Sequence, residues 1–564
     1  MRARFRRRFL VPMLAACLGV ACNEGIAGER QALVVTITAE APGYGADQVE
    51  DLVTTPIAIQ LNGMPDVQRI RSRATAGRAV VWVEFASGTD VYKARQATTE
   101  RLQLAAPELP NAVVPRLAPV LAPDEIMLVA LGFADKASEE HARRGTELRE
   151  LADRVVRRRL LAIPGVAQVV VTGGLVRQCE VIVSPDRMAA YALTISEVVS
   201  AIEKTLAEDT ARPGKQETLV VRRRLTVEDL GGITLGARAG HVIQLKDVAE
   251  VRLRAVPPHR DPSRPKGESK IPPQPAVLLG VLRQPGSDAK GFLGVLRQPE
   301  SDAKRLSREL DQALDAIRPT LPPDLWLGRQ FPPELAPLAS QMAEEIQQDQ
   351  PPEVTLRQET SADLGAVLVR KSPPRTTIAI VGPDREHLRS IGRDLAERLR
   401  KVPGVADVQA DSLEEAPQTQ IHVDRQRAAS LGVAVSDIFA TVEVAHEGRK
   451  VGRLEDLRIG RAADVVVTCG WDMRNDAEPL QRLSQRLSLR SATGETVTLG
   501  QVARVEAASV PRSLHQVQMQ PAILISCEVQ ARDRAQAMAE IEPAIAAVKQ
   551  QMAKLPGGYH VRRD

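Results

Sequence analysis

The sequence predicts an α+β protein made of repeated β-α-β units interrupted by longer inserts, with no transmembrane helices in the mature chain. Three observations predict it. A helical stripe, a Pro-Gly turn and an apolar strand follow one another twice, around Ile163-Pro164-Gly165-Val166 and Val402-Pro403-Gly404-Val405. Several later segments recur in the same order in both halves. Beyond the N-terminal leader no run reaches the roughly 18 apolar residues that a membrane helix needs.

Composition bounds the rest. A chain of 564 residues is too long for one core and predicts roughly three to five domain-sized units. Hydrophobic residues make up 43% and aromatics only 2%, so the cores must be built from Val, Leu, Ile and Ala. The formal charge of +4 is a property of the leader: five of the 75 basic residues (Arg2, Arg4, Arg6, Arg7, Arg8) lie there, leaving 70 against 71 acidic ones. Near neutrality gives no electrostatic footprint for nucleic acid.

The leader, residues 1–30 with its linker, has a basic start (Met1–Phe9) and an apolar stretch (Leu10–Ala21), then Asn23 and Glu24. This is the layout of a signal peptide, too short to cross a bilayer of about 30 Å as a helix. Leu14-Ala15-Ala16-Cys17 resembles a bacterial lipobox, which makes Cys17 the candidate lipidation residue. Cys22 is the alternative, with Gly19 where a lipobox usually carries Leu, and a plain signal peptide with incidental cysteines is the other reading. Lipidation would anchor the chain, each buried methylene contributing about 0.8 kcal/mol. The remaining cysteines, Cys179, Cys469 and Cys527, show neither zinc spacing nor a disulfide framework and read as buried strand positions.

Along the chain, Leu33–Ala39 alternates as a strand, and Val49, Val53, Ile57 and Leu61 mark a helix. Met64-Pro65-Asp66-Val67 makes a turn, Val80–Phe85 a strand, and Gly88-Thr89-Asp90 caps a helix reaching about Leu104. The strand Ile126–Phe133 precedes the helix Leu148–Leu161, as Ile378–Val381 precedes the stripe Leu388, Ile391, Leu395 and Leu399. Arg157, Arg158 and Arg159 end the first of these helices, where they favour the negative end of its dipole. Ser184–Ser196 matches Asp424–Ser436, Leu245–Val251 matches Leu499–Val505, and Gln274–Leu279 matches Gln520–Ile525. Helices then follow, marked by Leu306, Leu310, Leu314 and Ile317 in one copy and Ile541, Ile545 and Val548 in the other. In both halves the completing strand and helix arrive only after a long interruption, which implies a ferredoxin-like subdomain with an insert, twice. Residues 331–375 read as a broken counterpart of the first unit, with a helix near Leu338–Gln347 and a strand near Val354–Gln358. Leu279–Lys290 recurs almost unchanged as Leu293–Lys304, a slippage duplication that leaves strand register poorly specified.

This order of motifs resembles the RND (resistance-nodulation-division) efflux permeases, especially their heavy-metal efflux branch. The stretches that carry the resemblance are 41–67 (APGYGADQVEDLVTTPIAIQLNGMPDV), 83–96 (VEFASGTDVYKARQ) and the repeated segments above, from about Gln31 onward. By resemblance, 31–118 is similar to a first porter subdomain, and 125–175 with 274–330 to a second. Residues 376–415 with 519–564 resemble a fourth, and 331–375 a truncated third. Residues 176–260 and 416–515 resemble docking inserts. The family's proton-relay acids lie in membrane helices that this sequence does not show, so no autonomous proton-driven pump is expected. The resemblance implies a periplasmic chain held to the inner or outer membrane by its N-terminal lipid. Its implied partners are an RND permease, a periplasmic adaptor and an outer-membrane channel, with a homotrimer as the possible assembly and no nucleic acid.

No metal, cofactor or catalytic residue is expected. Met473 and Met519 are the only later-half methionines to weigh against the soft-metal sites of the heavy-metal branch, and both read as gap-filling. The histidines form no HxH or HxxxH pair, and His422 reads as an exposed strand position. Gly173-Gly174 reads as a turn and Asp384 as a turn or helix cap. No nucleophile elbow, P-loop or dinucleotide fingerprint is present, so the chain is not expected to be an enzyme. Two readings of function remain: an accessory or binding component of an efflux system, and a degenerate or split remnant of a permease gene.

Overall fold

The computed structural model describes residues 33–563 except 111–112, 119–124, 135–143, 211–224, 239–240, 258–275, 284–298, 330–334, 352–355, 362–365, 372–375, 447, 457–460, 470–484, 486, 492–494, 530–533 and 556. Its largest sheet has nine strands. They run in the order His560–Arg563, Thr376–Val381, Gln520–Val529, Ser513–Val517, Val67–Thr75, Arg78–Phe85, Leu33–Glu40, Arg116–Leu117, with Val405–Gln409 paired separately to Gln520–Val529. Early and late parts of the chain thus share one sheet, joined where Arg71–Thr75 meets Ser513–Val517 in antiparallel register.

Helices cover one face of this sheet in two cores. In the first, Val49, Val53, Ile57 and Leu61 are fully buried, because a spacing of four residues stacks them on one helical side. The helix Val91–Ala105 closes that core, its start fixed by Asp90 Oδ1, which accepts from the backbone N–H groups of Tyr92 and Lys93 at 2.9 and 3.0 Å. In the second core, Leu388, Ile391, Leu395 and Leu399 of the helix Arg385–Arg400 pack with Ile541, Ile545 and Val548. Asp384 is the N-cap of that helix and accepts from His387 N–H at 2.9 Å.

A second sheet has six strands. Leu356–Ser361, Ala366–Lys371, Glu125–Phe133, Ala276–Arg283 and Val166–Gly173 lie in that order, and Leu325–Gly328 also pairs with Glu125–Phe133. The strand Ala276–Arg283 therefore returns after a long insert to pair between two strands that precede the insert. Helices 145–161 and Pro299–Ile317 pack on one face, while the helix Ala336–Gln347 packs on the other. Burial on both faces explains why Ile126–Leu131 and Val277–Leu282 are unbroken apolar runs and not alternating ones. Gly280 permits the close approach of the Ala336–Gln347 helix: a Cβ there would stand 2.5 Å from Met342 Sδ.

The inserts form a further layer. Ala249–Val256, Val176–Val183, Arg461–Cys469 and Arg449–Asp456 make a four-stranded sheet in which Arg461–Cys469 runs parallel to Val176–Val183. A hairpin from residues 416–515 thus extends the sheet begun by residues 176–260, and both stretches contribute to one core around Val181, Ile202, Ile438 and Val467. Ser196 Oγ donates to Asp437 Oδ1 at 3.1 Å where the helices Ile195–Thr210 and Val435–His446 meet. Glu415–Val423 and Ala503–Pro511 form a separate two-stranded pair.

The stretch 331–375 contains the expected helix, at Ala336–Gln347, and a strand at Leu356–Ser361. It also holds Ala366–Lys371, a strand that the sequence pattern did not reveal. The helix Pro299–Ile317 begins inside the second copy of the duplication; residues 284–298, including the rest of that copy, fall outside the described residues. No helix among the described residues is long and apolar enough to cross a membrane. Residues 1–32, with Cys17 and Cys22, lie outside the described residues.

Replacing Gly280 by Val should cost about 1–3 kcal/mol in urea unfolding, because the added carbons meet Met342 and Ile126. Adding Met342→Ala to that variant should recover part of the loss; strictly additive destabilisation would refute the contact as its cause.

Candidate functional site at the central joint

The polar centre of the molecule lies on the face of the nine-stranded sheet opposite its helices. Alternation along Val67–Thr75 puts Arg69, Arg71 and Arg73 on that face. The neighbouring strand sets Glu84, Trp82 and Val80 directly opposite them, and Ser513–Val517 contributes Val517 and His515 opposite Arg71 and Arg73. Arg71, Trp82, Glu84 and His515 are all buried. Glu84 serves two cations: Arg69 Nε lies 2.7 Å and Arg71 Nη2 2.5 Å from its two carboxylate oxygens. One carboxylate shared between two guanidiniums keeps this charge tolerable away from water, since a buried ion without its partner costs several kcal/mol.

The row continues to the end of the helix Ala336–Gln347. Arg73 donates to the Gln348 carbonyl and stacks over the Trp82 ring, with 5.6 Å to its centroid. Arg78 pairs with Asp349 and donates to Gln348 Oε1 at 3.3 Å, and Trp82 Nε1 donates to the Asp349 carbonyl at 3.0 Å. Cations at a helix C-terminus meet the negative end of its dipole and its last free carbonyls. One helix is thereby packed on the six-stranded sheet along its length and tied to the nine-stranded sheet at its end.

His515 sits in the middle of this row. Burial first, then the Arg73 and Arg71 charges, push its pKa down to about 3, so it is neutral at physiological pH. Ser513 Oγ lies 3.3 Å from its Nε2. On the opposite face, Gln516 accepts from Ser72 Oγ at 3.3 Å and donates to Thr55 Oγ1 at 3.2 Å, tying strand to helix across the same joint. Glu50, also buried, pairs with Arg385 between the two cores. The arrangement couples three parts of the chain.

The residues singled out in the sequence lie elsewhere. Cys179 and Cys469 are buried strand thiols whose pKa values burial raises to about 11 and about 12, which keeps them protonated and unreactive. Cys527 is buried as well and donates weakly to the Thr376 carbonyl at 3.7 Å. Met519 occupies a hairpin turn with Gln518, both at positive φ, and packs against the first core. His422 is exposed, and Met473 lies outside the described residues. Gly173 and Gly174 both adopt positive φ. Among the described residues no group of three or more His, Cys, Asp or Glu side chains could hold a metal ion. The central joint escaped sequence reading, although Arg69-Ile70-Arg71-Ser72-Arg73 carries its signal: cations at every second position of a strand whose other positions face a core.

The lowered pKa of His515 sets a pH dependence. Below about pH 6.5 the unfolded chain takes up a proton at this imidazole and the folded chain does not until about pH 3, so its contribution is complete above 6.5 and is lost as pH falls. Between pH 6.5 and pH 5 the loss should be about 2 kcal/mol. Urea unfolding at pH 7 and pH 5 should show that extra loss in the natural chain but not in His515→Gln; equal losses in the two would refute the assignment.

A family model described as AcrB/AcrD/AcrF matches residues 31–327 and 339–563. The cation efflux system protein CzcA of Alcaligenes sp. (strain CT14) is 34% identical over 227 residues, which is 39% of this chain and 21% of that protein. The cation efflux system protein CusA of Escherichia coli (strain K12) is 29% identical over 225 residues, again 39% of this chain and 21% of that protein. These matches therefore span about a fifth of the relatives' length. A heavy metal efflux pump solved by X-ray crystallography has a similar fold, with a TM-score of 0.67 over 95% of this chain and 79% of that one, at 17% identity. With the family match covering most of its length, the chain belongs to the AcrB/AcrD/AcrF family of RND efflux permeases, and its relatives lie in the heavy-metal efflux branch.

Proposed function

We propose that this chain is a periplasmic, lipid-anchored component of a heavy-metal efflux system, with its ferredoxin-like porter and docking subdomains serving as a binding or assembly module. The observation that carries the reading is the family match itself, which runs over residues 31–327 and 339–563 and falls on closed, well-packed cores. Cores filled in both halves support a product that folds. The efflux context comes from relatives whose names describe cation efflux and from a fold shared with a heavy metal efflux pump. In this reading the chain does not pump on its own. It works beside a permease, a periplasmic adaptor and an outer-membrane channel, or as a trimer, and its cargo is a metal cation passed along the assembly. Cys17, or Cys22 in its place, carries the lipid.

The test is a mild-detergent pull-down of the tagged full-length protein from its native envelope, with partners identified by mass spectrometry. Recovery of an RND permease, adaptor or outer-membrane channel is the expected result. A clean preparation without any of them would overturn the accessory role and leave a remnant of a permease gene as the reading. Intact-mass measurement of the purified protein should show a lipid-modified cysteine at its N-terminus, and an unmodified mature chain would remove the anchor.

A further inference from the structure

The seam between the two cores of the nine-stranded sheet holds a small cavity with unused polar groups. Its apolar walls are Leu388, Leu514 and Ile523, and its polar lining comes from Arg385, Arg389, Ser412 and the neutral His515. Ser412 is only 2% exposed, and its Oγ has no hydrogen-bond partner among the described residues. Leaving a buried hydroxyl unmatched costs about 1–3 kcal/mol, so such an atom beside a cavity points to something that fills it.

Charge and size narrow the occupant. Arg385 is matched by Glu50, whereas Arg389 makes no ion pair or hydrogen bond among the described residues, so the seam carries one cation in excess. The cavity volume is ≈ 10 Å³, room for one small occupant and too little for a phosphate. A water would satisfy the hydroxyl but not the charge. We propose that this cavity is a binding site for a single halide ion, chloride under physiological conditions, which accepts from Ser412 Oγ and is balanced by Arg389. The ion lies where the helix Arg385–Arg400 meets the strands Ser513–Val517 and Gln520–Val529, so it fastens the first core to the second. This site stands independently of the efflux reading.

The experiment compares thermal unfolding of the purified full-length chain in sodium chloride, sodium bromide and sodium gluconate at a matched ionic strength of about 0.15 M. Chloride and bromide should raise the Tm by about 2 °C or more over gluconate, the sign of a ligand that binds only the folded state. Ser412→Ala and Arg389→Gln should each abolish the difference between salts. Ser412→Asp places a carboxylate in the cavity and should make the Tm independent of the anion, a readout that survives if the other variants fold poorly. Crystals grown in bromide should show an anomalous peak within hydrogen-bond reach of Ser412 Oγ. Equal Tm values in all three salts, a halide effect retained in Ser412→Asp, or a water with no bromide peak would each overturn the site.

Discussion

The whole architecture depends on one antiparallel pairing, that of Arg71–Thr75 with Ser513–Val517. It closes a loop of more than four hundred residues, and without it the nine-stranded sheet would separate into an early and a late piece. Loop-closure entropy grows only slowly with length, so the more demanding requirement is register. Alternation provides it. A slip of one residue by Ser513–Val517 would turn His515 into the core that holds Ala74 and Leu514 and expose Leu514 on the other face. The buried ion pairs add less through net stability than through the high cost of every misaligned pairing, since their desolvation offsets much of their attraction.

The helix Ala336–Gln347 extends this constraint from one sheet to the next. Leu338, Ala339, Met342, Ala343 and Ile346 pack on Ile126, Leu128, Leu278 and Leu282, burying a face of the six-stranded sheet that would otherwise be open. The next two residues, Gln348 and Asp349, take hydrogen bonds from Arg73, Arg78 and Trp82 of the other sheet. The segment thus connects the two sheets. Glu345 adds a polar stitch to the six-stranded sheet, accepting from Thr172 Oγ1 at 3.2 Å.

Local pattern made some of this legible and long-range pairing hid the rest. The helical stripes at Val49–Leu61, Leu388–Leu399 and Leu306–Ile317 lie where their periodicity puts them, because a spacing of three and four residues has one physical meaning when one side is buried. Apolar runs such as Val277–Leu282 were readable as strands, although their neighbours were not, since pairing partners leave no trace in local composition. The same limit hid the parallel contact of Arg461–Cys469 with Val176–Val183, which joins stretches almost three hundred residues apart. The central joint was obscure for a different reason. Arginines in a strand ordinarily mean a solvated face, and only the opposing Glu84 and the end of a distant helix make that face an interior one.

The two faces of the strand Ser513–Val517 carry different chemistry, and this bears on how motion can pass through the molecule. On one face His515 and Val517 stand opposite the arginine row; on the other, Leu514 packs into the first core and Gln516 bonds to Ser72 and Thr55. A shift of the late half relative to the early half would have to break the strand pairing, the Gln516 bonds to Ser72 and Thr55, and the seam where Glu50 meets Arg385. Packed interiors respond to such demands by switching between discrete arrangements more readily than by deforming smoothly. The end of the helix Ala336–Gln347, bonded to Arg73, Arg78 and Trp82, ties the six-stranded sheet into the same joint.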